Sequence, residues 1–195
     1  KTGDIHKFCN TLTNKLIKSN KVKLINRYID NLNEISKEFD IKIICAGVYS
    51  AKLAKTIGDN LPIYPVKGYS ITINDPGVNT PTVSLLDDYS KVVTSRLGKN
   101  RLRVAGFAEF NGYNLDILQS RIRPLIKWAT ELFPEINTHD VKPWAGLRPM
   151  TPDMLPIVEK SKNDSSVWYN TGHGHLGWTL SAETGKNIAN RILLS

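Results

Sequence analysis

Three glycines near the end of the chain could shape a binding site for an anionic or electron-rich group. Gly172, Gly174 and Gly177 follow an apolar segment at residues 167–169 and precede a segment of helical periodicity at residues 180–194. Glycine lets the backbone approach a ligand closely, and a helix start offers N–H groups at the positive end of the helix dipole. The order of strand, glycine loop and helix therefore predicts a receptor for an anion or a dipole.

The spacing matches Gly-x-Gly-x-x-Gly, but its context differs from that of a dinucleotide-binding fingerprint. A fingerprint opens a βαβ unit and is followed by a second strand and an acidic residue. The printed sequence instead ends at Ser195, after one helical segment. We therefore expect the loop to hold a different part of a ligand. The alternative is a tight strand-to-helix turn that needs glycine only for its backbone angles.

Arg148 is the second candidate binding residue. Its planar, permanently charged guanidinium can hold a carboxylate through two parallel hydrogen bonds, and Pro149 stiffens the segment beside it. The alternative role of Arg148 is a structural salt bridge. Tyr69 could hydrogen-bond to a substrate or line its pocket, and its alternative is a half-buried position in a strand.

Motifs for other chemistries are absent from the sequence. It contains no lysine-bearing phosphate loop, no Gly-x-Ser-x-Gly, and no His-Glu-x-x-His or Cys-x-x-Cys. His173 and His175 could face one side of an extended loop and bind a metal. Because no third ligand is near them in the sequence, we interpret them as loop residues and predict no metal. No residue is predicted to act as a catalytic acid, base or nucleophile.

The composition favours a folded chain with acidic binding partners. The 195 residues are 41% hydrophobic, and 26 basic against 18 acidic residues give a net charge of +8. This balance suits nucleic acid, anionic lipid, or a carboxylate or phosphate ligand. Basic residues do not alternate with aromatic ones, so no nucleic-acid partner is expected. Cys9 and Cys45 are predicted to be reduced thiols packed in the core, as in a cytosolic protein.

Periodicity divides the chain into a strand-rich centre and two end pieces. A helix is predicted at residues 5–19, capped by Asp4, and a buried strand at 41–46 is followed by Gly47 and a short helix at 50–57. The other predicted elements are strands at 22–25, 62–73, 83–86, 91–96 and 101–107, a hairpin or short connection at 28–39, a turn at 97–100, a helix at 114–133 that Pro124 kinks or shortens, and extended chain at 143–156.

These elements predict an α+β fold. Residues 61–159 would form an antiparallel sheet with helices. Residues 4–60 and 160–195 would form pieces of an incomplete α/β layer and would have to come together from the two ends of the chain.

Three segments in this order resemble a known family. They are YPVKGYS at residues 64–70, WAGLRPMTPD at 144–153 and NTGHGHLGWT at 170–179. Together they are similar to the C-terminal half of the bacterial D-amino acid dehydrogenase small subunit. That subunit belongs to the FAD-dependent amine-oxidising flavoproteins, with glycine oxidase, sarcosine oxidase and D-amino acid oxidase. The resemblance extends over nearly the whole chain.

The resemblance implies FAD as cofactor. The glycine loop would donate N–H groups to the flavin edge that gains negative charge on reduction, and the turn after residues 41–46 would let the backbone pass close to FAD. The cofactor-binding residues that it implies are Ala46, Gly47, Gly172, Gly174, His175, Leu176, Gly177, Trp178 and Thr179.

The resemblance also implies oxidative deamination of D-amino acids to 2-oxo acids and ammonia. Arg148 would bind the substrate carboxylate, Tyr69 would lie at the substrate, and Lys67 could be a cation beside the flavin. Electrons would pass to a respiratory acceptor. The expected location is therefore the cytoplasm, with peripheral contact at the inner membrane.

One feature of the family is missing from the sequence. Its members begin with a βαβ unit that binds the FAD pyrophosphate, whereas this sequence begins Lys1-Thr2-Gly3-Asp4. We therefore expect a fragment that is inactive and does not retain FAD by itself, or one that a separate N-terminal half completes. The alternative is a non-catalytic, basic α+β module that binds carboxylates or anionic surfaces.

Overall fold

The structure is a computed structural model that describes residues 3–35 and 37–194. The chain divides into two compact units, the first made of Lys1–Ile25 and Lys67–Gly146, the second of Asn26–Val66 and Leu147–Ser195. The helices are α1 (Ile5–Lys18), α2 (Ser50–Lys55), α3 (Gln119–Leu132) and α4 (Gly177–Leu193), with 3₁₀ turns at Leu32–Ile35 and Gly47–Tyr49. The strands are β1 (Lys42–Ile44), β2 (Tyr64–Asn74), β3 (Leu85–Asp87), β4 (Val92–Leu97), β5 (Arg101–Glu109), β6 (Val141–Met150), β7 (Ile157–Lys160) and β8 (Val167–Thr171).

The mixture of helices and sheets confirms the predicted α+β class. Residues 3–25 belong to the first unit, together with the central sheet, and residues 147–159 belong to the second unit. The predicted boundaries, 4–60 with 160–195 and 61–159, differ from these limits in those two segments and at residues 61–66, which belong to the second unit. Ser195, the last residue of the predicted layer, lies outside the described residues, as does Thr2, where the family resemblance begins.

The first unit is built on a five-stranded sheet with the order β3-β4-β5-β2-β6. The β4–β5 hairpin turns at Gly98, whose φ of +69° suits glycine, and Leu97 pairs with Arg101 across it. Leu102 and Val104 of β5 are buried, whereas the residues between them are less so. This alternation gives the sheet one face towards the core and one open face.

Helix α3 covers the core face of this sheet. Ile122, Leu125 and Ala129 recur at helical spacing and are buried against the apolar residues of β2 and β5. The helix begins at Gln119 rather than at the predicted residue 114, because Asn114 accepts a bond from the Asp116 N–H and holds that stretch in a turn. Pro124 lies inside the helix.

Helix α1 confirms the prediction from periodicity, and Asp4 caps it by accepting a hydrogen bond from the Lys7 N–H at 3.1 Å. None of its residues is buried, so apolar side chains such as Phe8 and Leu12 remain exposed. The strand predicted at residues 22–25 is wrong. That segment is irregular and exposed, and in the described part of the chain no strand pairs with it.

The second unit is built on a three-stranded sheet with the order β1-β8-β7. β1 runs parallel to β8, with Ile44 opposite Tyr169, and β7 pairs antiparallel with β8. Residues 42–44 and 167–169, which are far apart in the sequence, therefore lie side by side in this sheet. The prediction that Cys9 and Cys45 are core residues is wrong, because both are free and exposed. Their positions were assigned from residue type, which does not fix burial.

Candidate functional site

The predicted glycine loop lies between the end of β8 and the start of α4. Gly172 and Gly174 have φ values of +72° and +54°, in the left-handed region. A Cβ on Gly172 would lie 2.9 Å from Cγ2 of Thr151, and one on Gly174 would lie 3.0 Å from Sδ of Met150. The backbone angle therefore favours glycine at both positions, and close packing against Thr151 favours it further at Gly172, as the tight-turn alternative supposes.

Gly177 differs from the other two glycines. Its Cβ would meet only the Cβ of His173, at an ordinary 3.6 Å, and its φ is not in the left-handed region. It is the first residue of α4, three residues before the predicted helix start at 180. The turn alone does not explain a glycine there, whereas close approach of a ligand to the helix start would.

The N-terminus of α4 has the arrangement expected of an anion receptor. Leu176 precedes the helix and provides no side-chain cap, and the first intrahelical bond runs from the Leu180 N–H to its carbonyl. The helix itself supplies no partner for the N–H groups of Gly177 and Thr179 in its first turn. Among the predicted cofactor residues here, His175, Leu176, Trp178 and Thr179 are exposed.

The second predicted cofactor segment, Ala46 and Gly47, lies beside this loop. The Thr171 hydroxyl at the end of β8 donates to the Gly47 carbonyl at 3.1 Å, and its oxygen lies 2.8 Å from the Ser50 hydroxyl. Because Thr171 has one hydroxyl proton, Ser50 donates to Thr171. Adjacent parallel strands end on the same side of a sheet, which is why segments so distant in sequence meet.

The segment that carries Arg148 also contacts the glycine loop. The Gly174 N–H donates to the Pro149 carbonyl at 2.9 Å, and the Met150 sulfur packs against the same glycine. Arg148 is half-buried, and burial lowers the pKa of its guanidinium. The second unit therefore brings together three of the predicted segments.

Tyr69 lies in the first unit, and its contacts support the structural alternative. It is 1% exposed, and its hydroxyl lies 3.2 Å from both carboxylate oxygens of Glu109. Lys67 is fully buried and forms an ion pair with Glu109 at 2.8 Å, and Arg121 contacts the same carboxylate at 3.2 Å. The pKa of Glu109 is lowered to about 2, and the hydrogen bond from Lys67 is the largest cause. We call these four residues the Glu109 cluster.

Sequence reasoning missed the Glu109 cluster. The resemblance predicts Lys67 as a cation beside the flavin, and Glu109 is not singled out by the sequence. The register of β2 and β5 pairs the two residues directly. The sequence shows only that the two residues have opposite charges and lie in two different strands. They can be identified as a pair only when the register between β2 and β5 is known.

His173 is held by the helix that follows it. Its Nε2 lies 3.0 Å from the Thr184 hydroxyl, which itself donates to the Leu180 carbonyl. The Thr184 proton is thereby used, so Nε2 of His173 carries the proton of their shared bond. Burial lowers the pKa of His173. Within residues 3–35 and 37–194, no group of three His, Cys, Asp or Glu side chains could hold a metal ion.

Comparison with known proteins identifies a family and a shared fold. The model of the family described as FAD dependent oxidoreductase matches residues 4–191. D-amino acid dehydrogenase 3 of Mesorhizobium japonicum is 47% identical over 207 residues, with 96% of this chain and 50% of that protein covered. The D-amino acid dehydrogenase of Vibrio atlanticus is 37% identical over 206 residues, with 98% and 49% covered. The chain thus spans about half the length of these curated relatives.

Two solved structures have a similar fold. Iminodiacetate oxidase from Chelativorans sp. BNC1 has a TM-score of 0.69 at 22% identity, with 80% of this chain and 42% of that chain covered. Glycine oxidase from Geobacillus kaustophilus has a TM-score of 0.67 at 24% identity, with 76% and 40% covered. None of the helices among the described residues has both the length and the apolar character needed to cross a membrane.

Proposed function

The chain belongs to the family of FAD dependent oxidoreductases, and we propose that it is the flavin-edge and substrate-binding part of a D-amino acid dehydrogenase. The observation that carries this proposal is the meeting of three segments in the second unit: Ala46–Gly47, Arg148–Met150 and the glycine loop. The relatives named D-amino acid dehydrogenase supply the substrate class.

Two features of the second unit support a fit to FAD. At Gly47, with φ +56°, no atom lies within 4 Å of the place a Cβ would take, so the backbone is open to a ligand. The first turn of α4 offers N–H groups and the positive end of the helix dipole to an electron-rich edge. Bound FAD would supply the acceptor for the hydride from the substrate α-carbon, leaving an imino acid that water converts to a 2-oxo acid and ammonia.

The residues of this chain would then act by binding and orientation. Arg148 would hold the substrate carboxylate with two parallel hydrogen bonds, and its partial burial strengthens that interaction. The Gly174–Pro149 bond fixes the backbone of the Arg148 segment relative to the glycine loop. Since orientation is the main contribution, no acid or base from this chain is required.

The wider assembly is part of the same proposal. The βαβ unit that binds the pyrophosphate would come from a further N-terminal half, on the same or a separate polypeptide, and a respiratory acceptor would receive the electrons. The net charge of +8 suits peripheral contact with an anionic membrane surface.

The proposal is tested by completing the chain with the N-terminal half of the Mesorhizobium japonicum relative. We expect the purified assembly to show flavin absorbance and to reduce a dye when D-alanine is added. Arg148→Lys keeps the charge but loses the planar fork, so kcat/KM should fall about 10- to 100-fold with flavin content unchanged. Arg123→Lys, at an exposed position on α3, is the matched control.

Two results would contradict the proposal. One is an assembly that folds but binds no flavin. The other is an equal effect of Arg148→Lys and Arg123→Lys on D-alanine turnover, which would make Arg148 a structural residue.

A second candidate is a non-catalytic module that binds carboxylates or anionic surfaces. The excess of 26 basic over 18 acidic residues favours it. It predicts binding of D-alanine or anionic vesicles that does not change when flavin is removed, so titrations with and without FAD separate the two functions.

A further inference from the structure

Arg103 lies on the open face of the five-stranded sheet, away from helix α3. Its neighbours on β5, Leu102 and Val104, are fully buried and point into the core. Because side chains alternate along a strand, Arg103 points to the opposite face. Ser70 of β2 is on the same face, since it is paired with Ala105, two residues from Arg103.

The Arg103 guanidinium is held in place by groups without charge. Its Nη2 donates to the Ser70 hydroxyl at 3.0 Å, and its central carbon lies 5.0 Å from the ring centre of Trp144. Because Ser70 is itself buried, the side of the guanidinium that contacts it is also removed from water. Burial of the guanidinium lowers the pKa of Arg103.

No carboxylate balances this charge within the described ranges, residues 3–35 and 37–194. The arginines nearby in the first unit differ, because Arg101 pairs with Asp4 and Arg121 pairs with Glu109. Desolvation is the only cause that acts on the pKa of Arg103, so no acidic group is close enough to raise it. A half-buried cation without a counter-charge is unfavourable unless a ligand supplies one.

Trp144 forms an apolar wall beside the cation. The outer edge of its six-membered ring lies beside Gly146, where a Cβ would come 2.0 Å from Cη2 of the ring. Glycine therefore lets the indole lie along β6 instead of standing away from it. Trp144 is 54% exposed in that position, so it presents apolar surface next to the guanidinium.

We propose that Arg103, Ser70 and Trp144 form a binding site for a small monocarboxylate. The two oxygens of a carboxylate match the remaining N–H groups of the guanidinium, and a short apolar body would rest on the indole. A single positive charge suits a carboxylate better than a phosphate dianion, which needs more donors. The site is built from residues of the first unit, whereas Arg148 belongs to the second, and it does not depend on the proposed function.

The site is tested by titrating the full chain with butanoate in an isothermal calorimeter, with inorganic phosphate in a parallel titration. The measurement is made in an Arg148→Gln background, so that any carboxylate bound by Arg148 does not contribute. We expect one butanoate per chain, at least 10-fold weaker binding after Arg103→Gln, and weaker binding of phosphate than of butanoate. Arg123→Gln removes the same charge from an exposed position on α3 and should leave butanoate affinity unchanged.

Arg103→Lys keeps the charge without the fork and should give an intermediate affinity, and it serves if the glutamine variant does not fold. The proposal is overturned by the absence of butanoate binding in the Arg148→Gln background. Equal losses in Arg103→Gln and Arg123→Gln, or tighter binding of phosphate, would also overturn it. Because all titrations omit Arg148, failure of the proposed function would leave these results unaffected.

Discussion

Replacing Glu109 by glutamine should destabilise the first unit strongly. The substitution keeps the shape of the side chain but removes the charge that neutralises Lys67, whose side chain is fully buried. A buried ammonium without a counter-charge is costly, and breaking such a pair typically costs about 3–5 kcal/mol. The Tyr69 hydroxyl and Arg121 lose their charged acceptor in the same step.

The magnitude can be worked from the pKa of Glu109. It falls from the ordinary 4.5 to about 2 in the folded chain, and at about 1.4 kcal/mol for each pKa unit this corresponds to about 3 kcal/mol. The side chain is 14% exposed, so solvent screening reduces the expected loss to about 2–3 kcal/mol. Because the pKa is lowered by folding, this stability is complete above pH 4.5 and is lost as the pH falls towards 2.

The assay is urea unfolding, followed by circular dichroism and tryptophan fluorescence, at several pH values from 7 down to 3. Glu131→Gln is the matched control, since its contact with Lys127 is 3.6 Å long and highly exposed and should contribute less than about 0.5 kcal/mol. The wild type should lose stability towards low pH more steeply than Glu109→Gln. Equal stability of the two variants at pH 7, or equal pH dependence of wild type and Glu109→Gln, would refute the reasoning.

Two further predictions concern the glycine loop. Gly172→Ala should lower the free energy of unfolding by about 1–3 kcal/mol, because φ is +72° and the new methyl would clash with Thr151. Gly177→Ala should change it by less than about 1 kcal/mol. Urea unfolding of the two variants measures the difference, and equal losses would contradict the packing argument. The pKa of the His173 imidazole, measured by NMR, should lie below its ordinary value of 6.5, since burial opposes protonation. The stability that neutral His173 contributes is therefore present above pH 6.5 and declines as the pH falls. Thr184→Val should alter the titration of His173, and an unshifted wild-type pKa would contradict this prediction.

The sequence predicted well those helices and strands whose apolar periodicity or capping residue lies within the element itself. The run at 41–46 contains β1, the pattern at 101–107 lies within β5, and the apolar spacing at 5–19 marks α1. In each of these, burial periodicity or capping is local and can be read directly. The segment at 22–25 has a comparable apolar pattern but forms no strand, because a strand needs a partner to bond with.

The candidate site could be predicted in part. The glycines that turn the chain and the arginine of Gly-Leu-Arg-Pro are recognisable because their residue types are unusual at that spacing. The Glu109 cluster and the pairing of His173 with Thr184 could not be found, because they depend on strand register and on where α4 begins. A helix start three residues earlier changes which side chains meet across the first turns.

The parallel pairing of β1 with β8 has a consequence for the order in which the chain assembles. Lys42 is matched with Val167, about 125 residues later, so this ladder closes only after both strands and the residues between them have left the ribosome. Residues 67–146 contain the five-stranded sheet's inner hairpins and α3, whose contacts are closer in sequence and form sooner. The contact of the Thr171 hydroxyl with the Gly47 carbonyl is therefore made later in biosynthesis than the β4–β5 hairpin.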